Sequence, residues 1–342
     1  MTTSQQNFLI GLAAGAGAVL VGATLARNRH AIDFAGRVVV ITGGSRGLGL
    51  VLARQLAAEG ARVVLFARDE GELDRARRLL QEETGADVTT IRCDVRRRVD
   101  VRSAIAQLFE KFSAVDVLIN NSGIIQVGPV EHMGHEDFEN AMATHFWGPL
   151  HMMLEIVPSM RRRGFGRIVN IASIGGSIAV PHLAPYCASK FALVGLSDAL
   201  RAELDRYGIR VTTVIPGLMR TGSPMNAQIK GQHRAEYAWF AIADSVPGIT
   251  TSAENVARQI ITACRYGDPE LTITVAARLA EIANTLAPSA FARAMMLVNR
   301  MLPGPTGPEG DLQKRGRESE SGWAPSFATT LTDRAAVLNN EV

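Results

Sequence analysis

The feature that most constrains the fold is a glycine-rich turn set between a strand and a helix. Arg37 to Thr42 reads RVVVIT, a short β-branched run suited to a buried strand. It leads into Thr42-Gly43-Gly44-Ser45-Arg46-Gly47-Leu48-Gly49, and an amphipathic helix follows over Leu50 to Glu59. Strand, glycine turn and helix N-terminus together offer unpaired N–H groups and a positive dipole end, which suits a pyrophosphate. Gly43 permits the tight turn, Gly47 removes a side chain where phosphates approach, and Gly49 lets the helix pack close to the strand. The spacing is T-G-x-x-x-G-x-G, not G-x-G-x-x-G. The candidate cofactor-binding residues here are Gly43, Ser45, Arg46, Gly47, Leu48 and Gly49.

Strands and helices then alternate. Arg62 to Phe66 is a second strand. In dinucleotide folds an acid at its end binds the 2′-hydroxyl of the adenosine ribose. Here Ala67 and Arg68 stand there, and Arg68 with Arg46 could converge on a 2′-phosphate. That favours NADP(H), with NAD(H) as the second candidate. Asp69 reads as the N-cap of a helix over Glu70 to Glu82. Val88 to Arg92 is a third strand, ending at Asp94-Val95, and Val115 to Ile119 a fourth, ending in Asn120-Asn121-Ser122-Gly123. Asp137 to Arg163 reads as one long helix bent at Gly148-Pro149. Arg167 to Ser173 and Ile209 to Ile215 are the fifth and sixth strands, the latter closed by Pro216-Gly217, and Leu271 to Val275 is the last. The alternation predicts an α/β, doubly wound parallel sheet with right-handed crossovers. Ligands of such sheets sit beyond the carboxyl ends of the strands. The glycine turn, Asp94, Asn120, Gly123 and Ser173 therefore share one edge.

The chemistry-bearing pattern is Tyr186-Cys187-Ala188-Ser189-Lys190 near the start of a helix over Ala184 to Tyr207. A Tyr and a Lys four apart lie on one helix face. A phenol ordinarily titrates near pH 10, and a fixed ammonium one turn away favours the phenolate. Ser173, at the end of the neighbouring strand, could donate to a carbonyl oxygen. Together these groups suit proton transfer to or from a carbonyl or an alcohol.

With these motifs in order, TGGSRGLG, CDV, NNSG, IAS, YCASK and IPGLMRT, the chain resembles a classical short-chain dehydrogenase/reductase over about residues 35 to 275. It would be a membrane-anchored member of bacterial type. The resemblance implies a single Rossmann-like domain of about seven strands in the order 3-2-1-4-5-6-7. It implies that Tyr186 is the general acid/base, that Lys190 lowers its pKa and holds the nicotinamide ribose, and that Ser173 orients the substrate carbonyl. It further implies that Asp94 and Val95 flank the adenine, that Asn120 and Gly123 border the adenosine and its ribose, and that Pro216, Gly217 and Thr221 lie by the nicotinamide. A homodimer or homotetramer is also a family implication. Two departures stand out. Ser122 replaces an alanine. His145, in Ala143-Thr144-His145-Phe146-Trp147-Gly148, stands where the family has an asparagine that supports a water-linked proton relay. Imidazole can serve such a relay or can simply pack there.

The flanks carry other signals. Phe8 to Ala26 is 19 residues without charge or proline, long enough as a helix to cross a bilayer. Arg27 and Arg29 follow, so residues 1–30 read as an uncleaved, single-pass anchor with the catalytic domain cytoplasmic. Residues 222–250 hold the position of a substrate-covering segment, with Met225, Tyr237, Trp239 and Phe240 as an apolar lid. Residues 276–302 read as a helical extension and residues 303–342 as a loosely ordered tail. The net charge of +3 is small and the basic residues are scattered, which argues against nucleic acid. Three cysteines without C-x-x-C spacing suggest neither a metal site nor disulfides. The sequence thus predicts an NADP(H)-preferring oxidoreductase that interconverts an alcohol and a ketone or aldehyde on a lipophilic substrate. The alternatives are a non-catalytic nucleotide sensor or scaffold, or an epimerase or dehydratase of the same fold.

Overall fold

The structure is a computed structural model that describes residues 27–246, 248–326 and 329–341. Seven parallel strands form its centre: β1 Val38–Thr42, β2 Arg62–Ala67, β3 Thr89–Arg92, β4 Val117–Asn120, β5 Gly166–Ile171, β6 Ile209–Pro216 and β7 Glu270–Ile273. Their spatial order is 3-2-1-4-5-6-7, as the family resemblance implied. Every residue of β1, β4 and β5 is buried, which is why these segments read as continuous apolar runs rather than alternating ones.

Helices cover both faces. On one lie α1 (Gly47–Ala58), α2 (Glu70–Thr84) and, later in the chain, α8 (Ala253–Tyr266). Leu52 and Leu56 of α1 meet Val256 and Ile260 of α8 across the odd-numbered side chains of β1. The other face carries α3 (Arg98–Lys111), α5 (Gly148–Arg163) and α6 (Ala184–Leu204), with Leu108, Met152 and Ile156 packed on Val40 and Leu118.

The single long helix expected over 137–163 is three pieces. An α-helix, α4, runs over His135–Met142, a π-turn over Ala143–Trp147, and α5 resumes at Gly148. The π-turn inserts an extra residue into the helical ladder, a device that re-aims a side chain. Here it buries His145.

After β6 the chain builds the outer shell. Helix α7 (His233–Ala243) follows, and short strands pair Met219–Arg220 with Thr251–Ser252. Beyond β7, α9 (Val275–Leu286) and α10 (Pro288–Asn299) form a largely exposed hairpin. The described residues between 303 and 341 are not the loose tail that their polarity suggested. Lys314–Arg315 pairs antiparallel with Gln228–Ile229, and α11 (Thr330–Leu338) packs back on the domain. The composition misled because the tail is held by polar contacts to the domain rather than by an apolar stripe of its own.

The expected membrane-anchored placement is corrected as well: among the described residues no helix is long and apolar enough to cross a membrane. The stretch Phe8–Ala26, on which that expectation rested, lies outside the described residues.

Candidate active site

The glycine turn is braced from the neighbouring strand. Gly43 has φ of 63°, a left-handed conformation that favours glycine, and a Cβ there would meet Ser122 Cα at 2.9 Å. A Cβ on Gly49 would overlap the carbonyl oxygen of Gly43. Thr42 Oγ1 accepts from the N–H groups of Asn121 and Ser122 at 3.0 and 3.1 Å. Asn121 Nδ2 donates to the carbonyls of Thr42 and Gly43, each at 3.1 Å. Asn121 was not among the candidates of the sequence. Its signal was its place, one residue past the end of the strand beside β1. The turn leaves the first residues of α1 without a side-chain cap and without an acid in the first turn. A glycine turn leading into a helix start without a side-chain cap fits a pyrophosphate.

Beside the turn lies the adenosine edge. Ser45 Oγ donates to Glu72 at 2.9 Å, and Arg46 pairs with the same carboxylate at 3.3 Å. Arg68 follows β2 directly, within the field of Arg96 and Arg46. Asp94 accepts from Arg96 at 2.6 to 3.1 Å. Burial pushes the Asp94 carboxyl up, but the Arg96 hydrogen bonds outweigh it and hold the group below the usual carboxylate range. Arg96 is a third cation here that the sequence reading missed, hidden in the run Arg96-Arg97-Arg98. Val95 is buried against Gly148, where a Cβ would come within 2.9 Å of its side chain. Asn120 Nδ2 donates to Asn170 at 2.8 Å, while the buried Asn120 Oδ1 has no partner among the described residues.

The carboxyl ends of β5 and the first turn of α6 bring Ser173, Tyr186 and Lys190 to the same edge. Ser173 caps a short turn by accepting from Gly175 N–H at 3.1 Å. Burial drives the Tyr186 phenol up to about 12, against the pull of a hydrogen bond with Ser173. Lys190 is buried, and burial drives its ammonium down to about 7. Its Nζ donates to the carbonyl of Ile171 at 2.8 Å and lies 5.7 Å from the centre of the Tyr186 ring. Exclusion of water thus biases both groups towards their neutral forms.

His145 is the clearest departure from the family pattern, and its hydrogen bonds fix its tautomer. Nε2 accepts from the Ile124 N–H at 3.1 Å, so in the neutral ring Nδ1 carries the proton. Nδ1 lies 2.7 Å from Ser189 Oγ, whose own hydrogen goes to the Tyr186 carbonyl at 2.8 Å. Burial, and then the charge of Lys190, push the His145 pKa well below its ordinary value. The ring also stands edge-on to Tyr186, with centroids 5.4 Å apart, and a Cβ on Gly123 would lie 3.4 Å from Nε2. Both ring nitrogens are committed to protein partners. The chain Ile124, His145, Ser189, Tyr186 ties the turn after β4 to the first turn of α6.

The opposite wall comes from the segment after β6. Gly217 N–H donates to Ile273 at 3.0 Å, and a Cβ on Gly217 would overlap Thr274. Pro216 ends β6, and Thr221 is buried and caps the turn at Ser223. Tyr237, Trp239 and Phe240 of α7 join Val180 and Leu183 in an apolar cluster that includes Tyr186. A buried polar pair pins this wall: His182 Nδ1 lies 2.9 Å from Glu236, which also accepts from Trp239 Nε1 at 2.6 Å.

The chain is similar to known proteins in sequence and in fold. The short chain dehydrogenase family profile matches residues 37–233, more than half of the chain. The chain belongs to the short-chain dehydrogenase/reductase family. Dehydrogenase/reductase SDR family member 7B of Danio rerio is 37% identical over 222 residues, which are 63% of this chain and 72% of that protein. The Bos taurus protein of the same name is 32% identical over 266 residues, 75% of this chain and 80% of that one. Among solved structures, L-sorbose reductase from Gluconobacter frateurii, complexed with NADPH and L-sorbose, superposes with a TM-score of 0.64. It is 26% identical and covers 71% of this chain and 97% of its own. Actinorhodin polyketide ketoreductase with NADPH gives 0.62 at 31% identity, covering 70% and 96%. The short-chain dehydrogenase/reductase described here is therefore an NAD(P)-dependent oxidoreductase acting on CH–OH or C=O groups.

Proposed function

We propose that this protein is an NADP(H)-preferring carbonyl reductase or alcohol dehydrogenase for a lipophilic substrate. The observation that carries the reading is the meeting of Tyr186, Ser173 and Lys190 at the strand edge that also bears the glycine turn. The nicotinamide supplies or accepts the hydride. In this reading Ser173 donates to the substrate oxygen and polarises the carbonyl. Tyr186 gives that oxygen its proton in reduction and removes it in oxidation. Lys190 holds the nicotinamide ribose and, in its protonated form, opposes the burial-driven rise of the phenol pKa. Pro216, Gly217 and Thr221 border the nicotinamide, Asn120 and Gly123 the adenosine and its ribose, and Asp94 and Val95 the adenine.

Arg46, Arg68 and Arg96 support the phosphorylated cofactor, since guanidinium groups match phosphate geometry and the end of β2 is held by Ala67 and Arg68 rather than by an acid. The NADPH in the two solved relatives agrees with it. The apolar cluster around Tyr186 supports a lipophilic substrate. His145 is a positioning residue in this reading, since both ring nitrogens already have protein partners.

The test is a panel of hydrophobic ketones and aldehydes with NADPH and with NADH, followed at the nicotinamide absorbance. NADPH consumption on at least one of them, faster than with NADH, is expected. Tight NADPH binding without turnover on any would make the protein a nucleotide sensor instead.

A further inference from the structure

The end of the chain lies across the dinucleotide cradle. Helix α11 docks on the segment that closes the cleft. Thr332 Oγ1 donates to the Asp244 carbonyl at 3.2 Å and receives a hydrogen bond from Ser245 Oγ at 2.7 Å. Ala336 is fully buried, so close to Gly222 that a Cβ on that glycine would overlap it. Past the helix, the chain passes over the glycine turn. The Gly47 N–H donates to the Asn339 carbonyl at 2.8 Å, and Asn340 Nδ2 donates to the Ser45 carbonyl at 2.9 Å. The Glu341 side chain is 6% exposed and fills the space that the missing Gly47 side chain leaves: a Cβ there would be 2.5 Å from Glu341 Oε1. Arg46 Nε lies 3.5 Å from the same carboxylate.

These contacts have the chemistry of a phosphate. Helix α1 starts without a side-chain cap and without an acid of its own, so its N-terminus calls for acceptor oxygens and a negative charge. Asn339 supplies a carbonyl oxygen and Glu341 its carboxyl oxygens, which fill the space over Gly47. We propose that residues 329–341 are an autoinhibitory strap, which occupies the pyrophosphate cradle and must leave before the dinucleotide binds. The inference rests on the dinucleotide reading of that cradle. Its core is exclusion: the Gly47 N–H has one hydrogen, and the space over Gly47 holds one group.

The strap is also built to let go. Leu331, Val337 and Leu338 of α11 are exposed at 41, 67 and 66%, so the helix buries little apolar surface. Elements held this way open at low free-energy cost. A cofactor that binds only the open form has its apparent affinity reduced by the open fraction, and in binding it draws the population open.

Hydrogen exchange on the full-length protein, with and without saturating NADPH, tests this directly. NADPH should protect the amides of residues 43–49 and speed exchange at 330–341 at least tenfold. Protection at 43–49 with unchanged or slower exchange at 330–341 overturns the strap and leaves the dinucleotide reading intact. No protection at 43–49 overturns the dinucleotide reading and the strap with it. Two variants read the same equilibrium by affinity. Removal of residues 329–342 and, in the full-length chain, Ala336→Trp should each tighten the NADPH Kd at least tenfold. A synthetic peptide of residues 329–342 should compete with NADPH for the shortened chain. An unchanged or weaker Kd in folded Ala336→Trp overturns the proposal.

Discussion

The two ends of the cleft are held in opposite ways. At the catalytic end, His145, Ser189 and Lys190 are buried and each polar atom discussed has a protein partner. At the nucleotide end, the uncapped start of α1 is met by a terminal segment through Asn339, Asn340 and Glu341. One end is braced from within the domain, by His145 and Ser189, whose partners are protein groups. The other is satisfied by groups that can be traded for equivalent oxygens. Fixed geometry suits proton transfer, where misplacement is costly, and an exchangeable partner suits a ligand that comes and goes.

Substitutions can break each side of that contrast. The largest effect belongs to Tyr186→Phe, which removes the proton donor and should lower single-turnover rates about 10²–10⁴-fold with NADPH affinity unchanged. Gly49→Ala comes next. Its Cβ overlaps the Gly43 carbonyl, so α1 must shift, and urea unfolding should show a loss of about 1–3 kcal/mol together with weakened NADPH binding.

Ser189→Ala takes the acceptor from His145 Nδ1 and should cost about 1–3 kcal/mol of stability. Its kcat should fall while the pH profile stays in place, because the ring positions α6 and relays no protons. A shifted profile would restore the relay.

Lys190 gives an effect that is graded, small over any one pH unit. Its folded pKa, about 7, lies below its ordinary 10.5. Between these values the unfolded chain binds more protons, so stability should rise with pH across that window, by at most about 1.4 kcal/mol per unit. Lys190→Met should flatten the rise in a denaturation series.

The smallest effect sharpens the nucleotide side. Glu341 faces Arg46, Glu72, Arg317 and Asn226, and burial raises its pKa from 4.5 to about 7. The docked strap therefore binds more protons than the released one between those values, and release should grow as pH rises. The ratio of the NADPH Kd of the native chain to that of Ala336→Trp should fall from pH 5 to pH 7. Glu341→Gln should remove the trend.

What could be read in the sequence follows the same divide. The strands of the sheet and the placement of Gly43–Gly49, Ser173, Tyr186 and Lys190 were legible, because strand runs, glycine turns and a four-residue spacing are local signals, while the strand order came only with the family resemblance. His145 was visible as a departure, but its role was not. Its partners, Ile124 and Ser189, lie 21 and 44 residues away, and a π-turn that no periodicity announces aims the ring at them. Arg96 and Asn121 were missed because their neighbours decide what they do. The tail was misread for a related reason. A charged, Gly- and Pro-rich stretch has the composition of a solvated segment, and Glu341 reaches Arg46 from 295 residues further along the chain. The stretch Phe8–Ala26 carried a membrane expectation that no helix among the described residues supports.

The central claim is hydride transfer to a carbonyl, with Tyr186 moving the proton. Its most direct test uses NADPH deuterated at the transferable position of the nicotinamide, with a hydrophobic ketone that the protein turns over. The product should carry one deuterium on the carbinol carbon, and Tyr186→Phe should form it at least about 100-fold more slowly. A product without deuterium at that carbon, or full-rate formation by Tyr186→Phe, would contradict the account.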